Sequence, residues 1–307
     1  MNRFHGNGKL LLSGEYYVLD GAIALAVPTQ KGQLLQVTYS PSQHRVLHWK
    51  SYDSNGQIWF ESRFDIETFE ALEGYVSQKS LVLQKILQTT RKISKNFLVG
   101  KESVLVETFL EFPRLWGLGS SSTLIHTIAK WAGINAFDLL AKTMGGSGYD
   151  VACAESETPI LYERHDGIPR TISVDFNPSF KNQLYFVYLG KKQCSAEGIS
   201  YYEKLKSNND KLVKELSGIT HKIVNAKTLH QFEKLIAKHE EIIAKNMAME
   251  RVKQTYFSDY WGEVKSLGAW GGDFVLVTSQ KTKEETQAYF LEKGMDTFLT
   301  YDEMVKG

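Results

Sequence analysis

Six consecutive residues, Gly117-Leu118-Gly119-Ser120-Ser121-Ser122, combine types and spacing that suit ligand chemistry. They run directly into a segment where Leu124, Ile128 and Trp131 recur at helical spacing, as do Ile125, Ala129 and Ala132. Three hydroxyls therefore crowd a helix N-terminus, where backbone N–H groups lack partners and partial positive charge collects. Gly117 and Gly119 let the backbone bend close to a bound group. Such a turn can hold phosphate without a lysine of its own. The same residues also describe an ordinary serine-capped helix, and the local pattern leaves both readings open. Two nucleotide motifs are excluded. The P-loop pattern G-x-x-x-x-G-K-[ST] has no match; at Gly8-Lys9, Arg3 stands where the first glycine is needed. In the dinucleotide pattern G-x-G-x-x-G, Ser122 stands where the last glycine is needed.

The elements that must position this turn follow from periodicity. Residues 9–12 read as a short buried strand, followed by the Asp20-Gly21 turn and an apolar run over 22–27. Residues 33–39 alternate as a strand, and 46–52 and 57–64 form a hairpin about Asn55-Gly56. Residues 76–93 are expected to be helical, with Val76, Leu83, Ile86, Leu87 and Ile93 apolar, and 104–110 is a strand leading to the glycine turn. Residues 136–144 read as a short helix, broken by Gly145-Gly146-Ser147-Gly148; 151–156 starts another, and 159–163 is a strand. Asp166-Gly167-Ile168-Pro169 is the expected domain boundary. Beyond it come a strand at 184–189 and two or three helices. The clearest spans 229–248, with Phe232, Leu235, Ile236, Ile242 and Ile243 on one stripe and charges opposite. A second glycine turn at 266–273 feeds a strand at 274–278, then a helix at 282–293 and a strand at 296–300. This order suggests an open sheet backed by helices.

Composition narrows the function classes. The 307 residues suggest about two domains. A formal net charge of +1 argues against an extended nucleic-acid surface. Cys153 and Cys194 make neither a metal spacing nor a disulfide framework, which fits a reduced cytoplasmic setting. The opening stretch MNRFHGNGK lacks the apolar core expected of a signal peptide, and no apolar run approaches the length of a membrane span. The expected partner is a small-molecule substrate, with no nucleic acid and no membrane, in a monomer or homodimer.

Four stretches in order resemble the GHMP kinase superfamily, which includes galactokinase, homoserine kinase, mevalonate kinase and phosphomevalonate kinase. Gly8-Lys9-Leu10-Leu11-Leu12-Ser13-Gly14-Glu15-Tyr16, followed by Val18-Leu19, looks like the opening G-K-x-x-L-x-G-E-[HY]-x-V-[LV] of mevalonate and phosphomevalonate kinases. Pro113 and Gly117 to Ser122 look like the phosphate loop, with Ser122 where alanine is usual. Gly146-Ser147-Gly148-Tyr149-Asp150-Val151-Ala152 is similar to the S-G-[FY]-D-x-A run of phosphomevalonate kinases. Gly268-Ala269-Trp270-Gly271-Gly272-Asp273 looks like the C-terminal G-A-G-G-G-D loop. More narrowly, the chain resembles bacterial GHMP proteins named for a Gly-Tyr-Asp-Ile-Ala run, here Gly148-Tyr149-Asp150-Val151-Ala152.

The resemblance implies an α+β fold of two domains. Residues 1–166 would form a strand-rich ATP-binding domain and 167–307 helices on an antiparallel, ferredoxin-like sheet. It implies ATP and Mg²⁺, with Gly117, Leu118, Gly119, Ser120, Ser121 and Ser122 about the phosphates and Ser121 on the metal. It makes Asp150 the base for the acceptor hydroxyl, Lys9 its cationic neighbour, and Glu15 a group near the nucleotide that orients Lys9 or the metal's waters. Gly148, Tyr149, Gly268, Ala269, Gly271 and Gly272 would face substrate. On residue type alone, Asp150 could equally cap a helix, Lys9 start an exposed strand, and Glu15 sit in a surface turn. Two departures stand out. The stretch 132–144 lacks the glutamate metal ligand of mevalonate kinase and offers only Asp138, and Trp270 replaces a glycine, where its bulk would narrow the approach to the phosphates or reshape the acceptor pocket. The implied activity is phosphoryl transfer to mevalonate or phosphomevalonate. The alternatives are a non-catalytic nucleotide-binding member, a diphosphomevalonate decarboxylase or a sugar kinase.

Overall fold

The computed structural model describes all residues except 42–43, 192–194, 206–209 and 271, and the side chains of 195 and 196. In chain order the elements are β1 (Asn2–Ser13), β2 (Ala24–Ser40), β3 (Val46–Tyr52), β4 (Ile58–Asp65), α1 (Gln78–Ile93), β5 (Ser103–Leu110), α2 (Ser120–Ala132), α3 (Ala136–Thr143) and α4 (Tyr149–Glu155). Then come β6 (Ile160–His165), β7 (Ile168–Ser173), β8 (Leu184–Tyr188), α5 (Ser195–Leu205), α6 (Asp210–Val224), α7 (Leu229–Met247) and α8 (Val252–Tyr256). The chain ends with β9 (Val264–Ser266), β10 (Phe274–Thr278), α9 (Lys283–Glu292), β11 (Phe298–Thr300) and α10 (Tyr301–Met304). The expected α+β class with a mixed sheet and a separate antiparallel sheet is what the chain adopts.

Two compact units emerge. Unit 1 holds residues 1–8, 31–114 and 118–155; unit 2 holds 9–30, 115–117 and 156–307. In unit 1 the strands run β4-β3-β5-β2. β3 lies parallel to β5, and β2 antiparallel to β5 from Gln33↔Leu110 to Ser40↔Ser103. Helices cover this sheet because their apolar stripes fit it. Leu83, Ile86 and Leu87 of α1 and Ile125, Ile128 and Ala129 of α2 join Leu35, Val37, Trp49 and Val106 in one buried core. α1 begins later than the apolar pattern suggests. Ser77 and Ser80 form a reciprocal capping box at its start, which leaves Val76 outside and 62% exposed.

β1 is longer than expected. Residues 2–8 extend it, and their polar composition hides them from a hydropathy pattern. β2 likewise joins two runs that read as separate. Gly32 makes this continuity possible: a Cβ there would lie 2.2 Å from Gly6 O, so only glycine lets the two backbones approach.

In unit 2, Ala24–Ala26 of β2 pair with β6, and β6 pairs with β7. The Asp166-Gly167 turn, expected as a domain boundary, joins β6 to β7 inside this unit. A separate four-stranded antiparallel sheet runs β11-β8-β10-β9. Its core includes Val187, Val264, Val275, Val277 and Phe290. α7 buries Phe232, Ile236 and Ile243 as its stripe requires, but His239 and Glu240 are buried too.

Candidate functional site

In unit 1 the serine-rich turn becomes the start of α2. Gly119 is the N-cap at φ 88, a left-handed conformation that suits glycine. It brings no side chain to cap the helix. The first intrahelical bond is Thr123 N–H to Gly119 O at 3.0 Å, so the amides of Ser120, Ser121 and Ser122 precede the ladder. The three serines divide the roles left open by sequence. Ser122 is buried and its hydroxyl donates to Gly119 O at 2.8 Å. Ser120 is half-buried and Ser121 exposed.

Ser120 and Ser121 also line a cavity of about 300 Å³, whose other walls include Trp49, Trp59, Phe60 and Leu124. Its polar edges are organised. Trp49 Nε1 and Thr108 Oγ1 both donate to Ser51 Oγ, at 3.1 and 2.9 Å, and Thr123 Oγ1 donates to Gln33 Oε1 at 2.7 Å. Trp59 Nε1 is buried with no hydrogen-bond partner. Cations flank its ring, Lys79 Nζ at 5.1 Å and Arg114 Cζ at 4.1 Å from the centroid. An aromatic-walled cavity with a few fixed polar groups, beside a helix start whose first amides precede the ladder, suits an aromatic base carrying phosphates. None of these aromatic residues carries a motif, so sequence reading missed them.

Asp150 lies in the first turn of α4, in the same unit. Its Oδ1 accepts the Val151 N–H at 3.0 Å, a local contact within the first turn. Gly148 precedes it at φ 93, and Tyr149 opens the helix half-buried. Cys153 is buried in α4; Cys194 lies outside the described residues.

In unit 2 several groups gather on the first glycine of the turn. Lys9 Nζ donates to Gly117 O at 3.0 Å. Tyr188 Oη donates to Leu115 O at 3.0 Å, and Trp116 packs edge-on against Phe274. The Asp273 carboxylate lies against Gly117 itself, where a Cβ would come within 2.3 Å of Asp273 Oδ2. Asp273 adopts φ 54, unusual for a residue with a side chain. It is pinned there by its N–H to Lys191 O at 2.6 Å and by Leu189 N–H to its own carbonyl at 2.8 Å. Sequence reading quoted Asp273 in a motif without giving it a task.

Glu15 has other neighbours than expected. It is fully buried and paired with Lys265 Nζ, with His239 Nε2 at 3.4 Å. Lys265 Nζ is also 3.7 Å from Glu240 and donates to Ser266 O at 2.9 Å. Gly14 N–H donates to His239 Nε2 at 3.0 Å, and Ser266 N–H to Glu240 Oε1 at 3.2 Å. Burial pushes both carboxyls up against the pull of Lys265, Glu240 to about 8. Burial first, then the Lys265 charge, keeps His239 well below its usual value and neutral. This cluster ties the segment after Lys9 to α7 and β9. Lys265 is three residues before Gly268 and has no motif of its own.

The second glycine turn also differs from expectation. Trp270 is 2% exposed and packs among Tyr16, Tyr17, Tyr202, Leu216 and Met247, so its indole enlarges a core. Its backbone N–H donates to Tyr16 Oη at 3.2 Å, and its indole Nε1 is buried with no hydrogen-bond partner among the described residues. Gly268 sits at φ 64, and Ala269 and Gly272 are buried. Gly271 lies outside the described residues.

No protein-family model and no curated protein matches the chain. Solved structures do. Methanococcus jannaschii mevalonate kinase superposes with TM-score 0.72 at 15% identity, covering 97% of this chain and 96% of its own. Streptococcus pneumoniae phosphomevalonate kinase in complex with phosphomevalonate and AMPPNP gives 0.73 at 15% identity, covering 98% and 100%. Mevalonate diphosphate decarboxylase from Staphylococcus aureus gives 0.62 at 12% identity, covering 99% and 95%. These likenesses run the length of the chain, and from them we conclude that it has the fold of the GHMP kinases.

Proposed function

We propose that the protein is an ATP- and Mg²⁺-dependent kinase acting on a small hydroxyl- or phosphate-bearing acceptor of the mevalonate class. One observation carries this reading: an uncapped helix start at Gly119 opening beside an aromatic cavity of about 300 Å³. The fold supports the superfamily and does not choose among its acceptors, since kinases and a decarboxylase share it.

In this reading the amides of Ser120 to Ser122 receive phosphate oxygens, and the base stacks in the slot of Trp49 and Trp59. Asp150 takes the proton from the acceptor hydroxyl. Lys9 offsets charge as the phosphoryl group moves, since such transfer depends on positioning and charge stabilisation. Ser121 offers an exposed hydroxyl, a hard oxygen of the kind Mg²⁺ accepts. Among the described residues there is no group of three or more His, Cys, Asp or Glu able to hold a metal. That donor set fits an ion held mainly by phosphate oxygens and water, as Mg²⁺ commonly is. When bound, it neutralises phosphate charge.

ADP release measured with mevalonate and with phosphomevalonate at fixed Mg²⁺ tests the proposal. Asp150→Asn should lower kcat by about 10²–10⁴-fold with Mg-ATP affinity retained. No turnover of either acceptor would reject the substrate class, and turnover unchanged in the variant would reject the base.

A further inference from the structure

Three neighbouring strands of unit 1 send polar side chains into the aromatic-walled cavity: Gln33 from β2, Ser51 from β3 and Thr108 from β5. Gln33 is 3% exposed and Ser51 4%, so a group that meets them there has left water. Gln33 Oε1 already accepts the Thr123 hydroxyl proton at 2.7 Å. Gln33 Nε2 has no hydrogen-bond partner among the described residues. Unlike the Trp59 Nε1, which is sealed in, this nitrogen keeps contact with the cavity its residue lines. A buried amide NH₂ without an acceptor is costly, and native proteins nearly always supply one.

Ser51 adds a second donor. Its Oγ accepts from Trp49 Nε1 and from Thr108 Oγ1, at 3.1 and 2.9 Å. Both lone pairs are then used, and its own proton is left to give. Thr108 gives its proton to Ser51 and is itself 1% exposed. The acceptors of Gln33 and Ser51 are taken, and their remaining hydrogen-bonding capacity is N–H and O–H. Such a wall asks its occupant for acceptors and has no call on the occupant's N–H groups.

Adenine offers acceptors at its ring nitrogens and a donor at its 6-amino group; a 6-oxopurine puts an acceptor in place of that donor. A site that bonds a substrate N–H rejects an analogue lacking it by about 10⁴–10⁵-fold. Where the N–H is not bonded, that rejection has no source. Resting on the nucleotide reading of this cavity, we propose that Gln33 and Ser51 read the purine through its acceptors and leave the 6-amino group unread, so that the site takes 6-oxopurine triphosphates alongside ATP. Gln33 is then a specificity-determining residue, its amide donating to the base.

The test uses the full chain with Mg²⁺ and calorimetric titration of ATP, ITP and purine riboside triphosphate, which lacks the 6-amino group. Inorganic tripolyphosphate probes the phosphate end alone. The three nucleotides should bind within about tenfold of one another. Gln33→Leu should weaken all three about tenfold and leave tripolyphosphate unchanged. In that variant Thr123 Oγ1 keeps its bond to Ser120 O. Should the variant fail to fold, the wild-type chain decides: of 1-deaza-, 3-deaza- and 7-deaza-ATP, at least one should bind about tenfold more weakly than ATP. ATP binding with either analogue weaker by more than about tenfold overturns this proposal and spares the nucleotide reading. So does ATP affinity that neither Gln33→Leu nor any deaza analogue changes, or a loss in Gln33→Leu that tripolyphosphate shares. If no purine nucleotide binds, both readings fall together.

Discussion

The two glycine turns look alike in sequence and behave oppositely in the fold. The first, at 117–122, has small side chains, two left-handed glycines and an uncapped helix start beside a cavity. The second, at 268–273, sends its largest side chain, Trp270, into a core and pins Asp273 in a strained conformation. One turn leaves backbone amides ahead of the helix ladder; the other serves packing and holds a carboxylate against Gly117. Glycine content therefore marks where the chain bends sharply, and the fate of the neighbouring side chains says why.

Substitutions can break this contrast. The largest effect is expected at Trp270. Trp270→Ala should remove about 3–5 kcal/mol of stability, read from urea unfolding, because a fully packed indole leaves a cavity. A loss below about 1 kcal/mol would mean that the second turn is not a packing element. Next, Gly117→Ala should cost about 1–3 kcal/mol, since its φ is left-handed and the new methyl meets the Asp273 carboxylate. Asp273→Gly in the same chain should recover part of that cost, leaving the backbone penalty. Full additivity of the two changes would show that the close approach does not matter.

A smaller effect comes from the charged footing of the second turn. Glu240 has its pKa raised to about 8, so its contribution is complete below the unfolded value near 4.5 and lost as pH rises through 8. His239 is depressed, so its contribution is present above about 6.5 and fades as the unfolded chain takes up a proton below that. Melting temperature should therefore decline as pH rises from about 4.5 to about 8, and Glu240→Gln should flatten that decline. An unaltered decline in the variant would show that Glu240 is ionised in the fold. Smallest of all, Ser122→Ala should change stability by about 1 kcal/mol or less, because its hydroxyl bonds only Gly119 O. If Ser122→Ala weakened Mg-ATP binding more than Ser121→Ala, the division of labour among the serines would be reversed.

The sequence was most legible where periodicity and turn chemistry agreed. The α2 and α7 stripes, the Asn55-Gly56 hairpin and three of the four strands of the second sheet, β8, β10 and β11, were readable from spacing; β9 was not. Residues 2–8 were not, because a polar strand satisfied by its neighbours carries no hydropathy signal. The α7 stripe also concealed His239 and Glu240, whose types favour solvent unless a partner such as Lys265 awaits inside. Trp59 and Trp49 gave no sign of their cavity, since aromatic residues in strands usually signal core. Trp270 misled in the other direction: a glycine motif suggested an open loop, and tertiary packing absorbed the indole.

The buried Glu15–Lys265 pair also bears on how the chain emerges from the ribosome. Its partners are 250 positions apart, so Glu15 leaves the exit tunnel long before Lys265 exists. At about 5–20 residues per second, the wait is on the order of 10–50 s. Throughout that interval Glu15 lacks its lysine partner, so the buried cluster is completed only after β9 has been made.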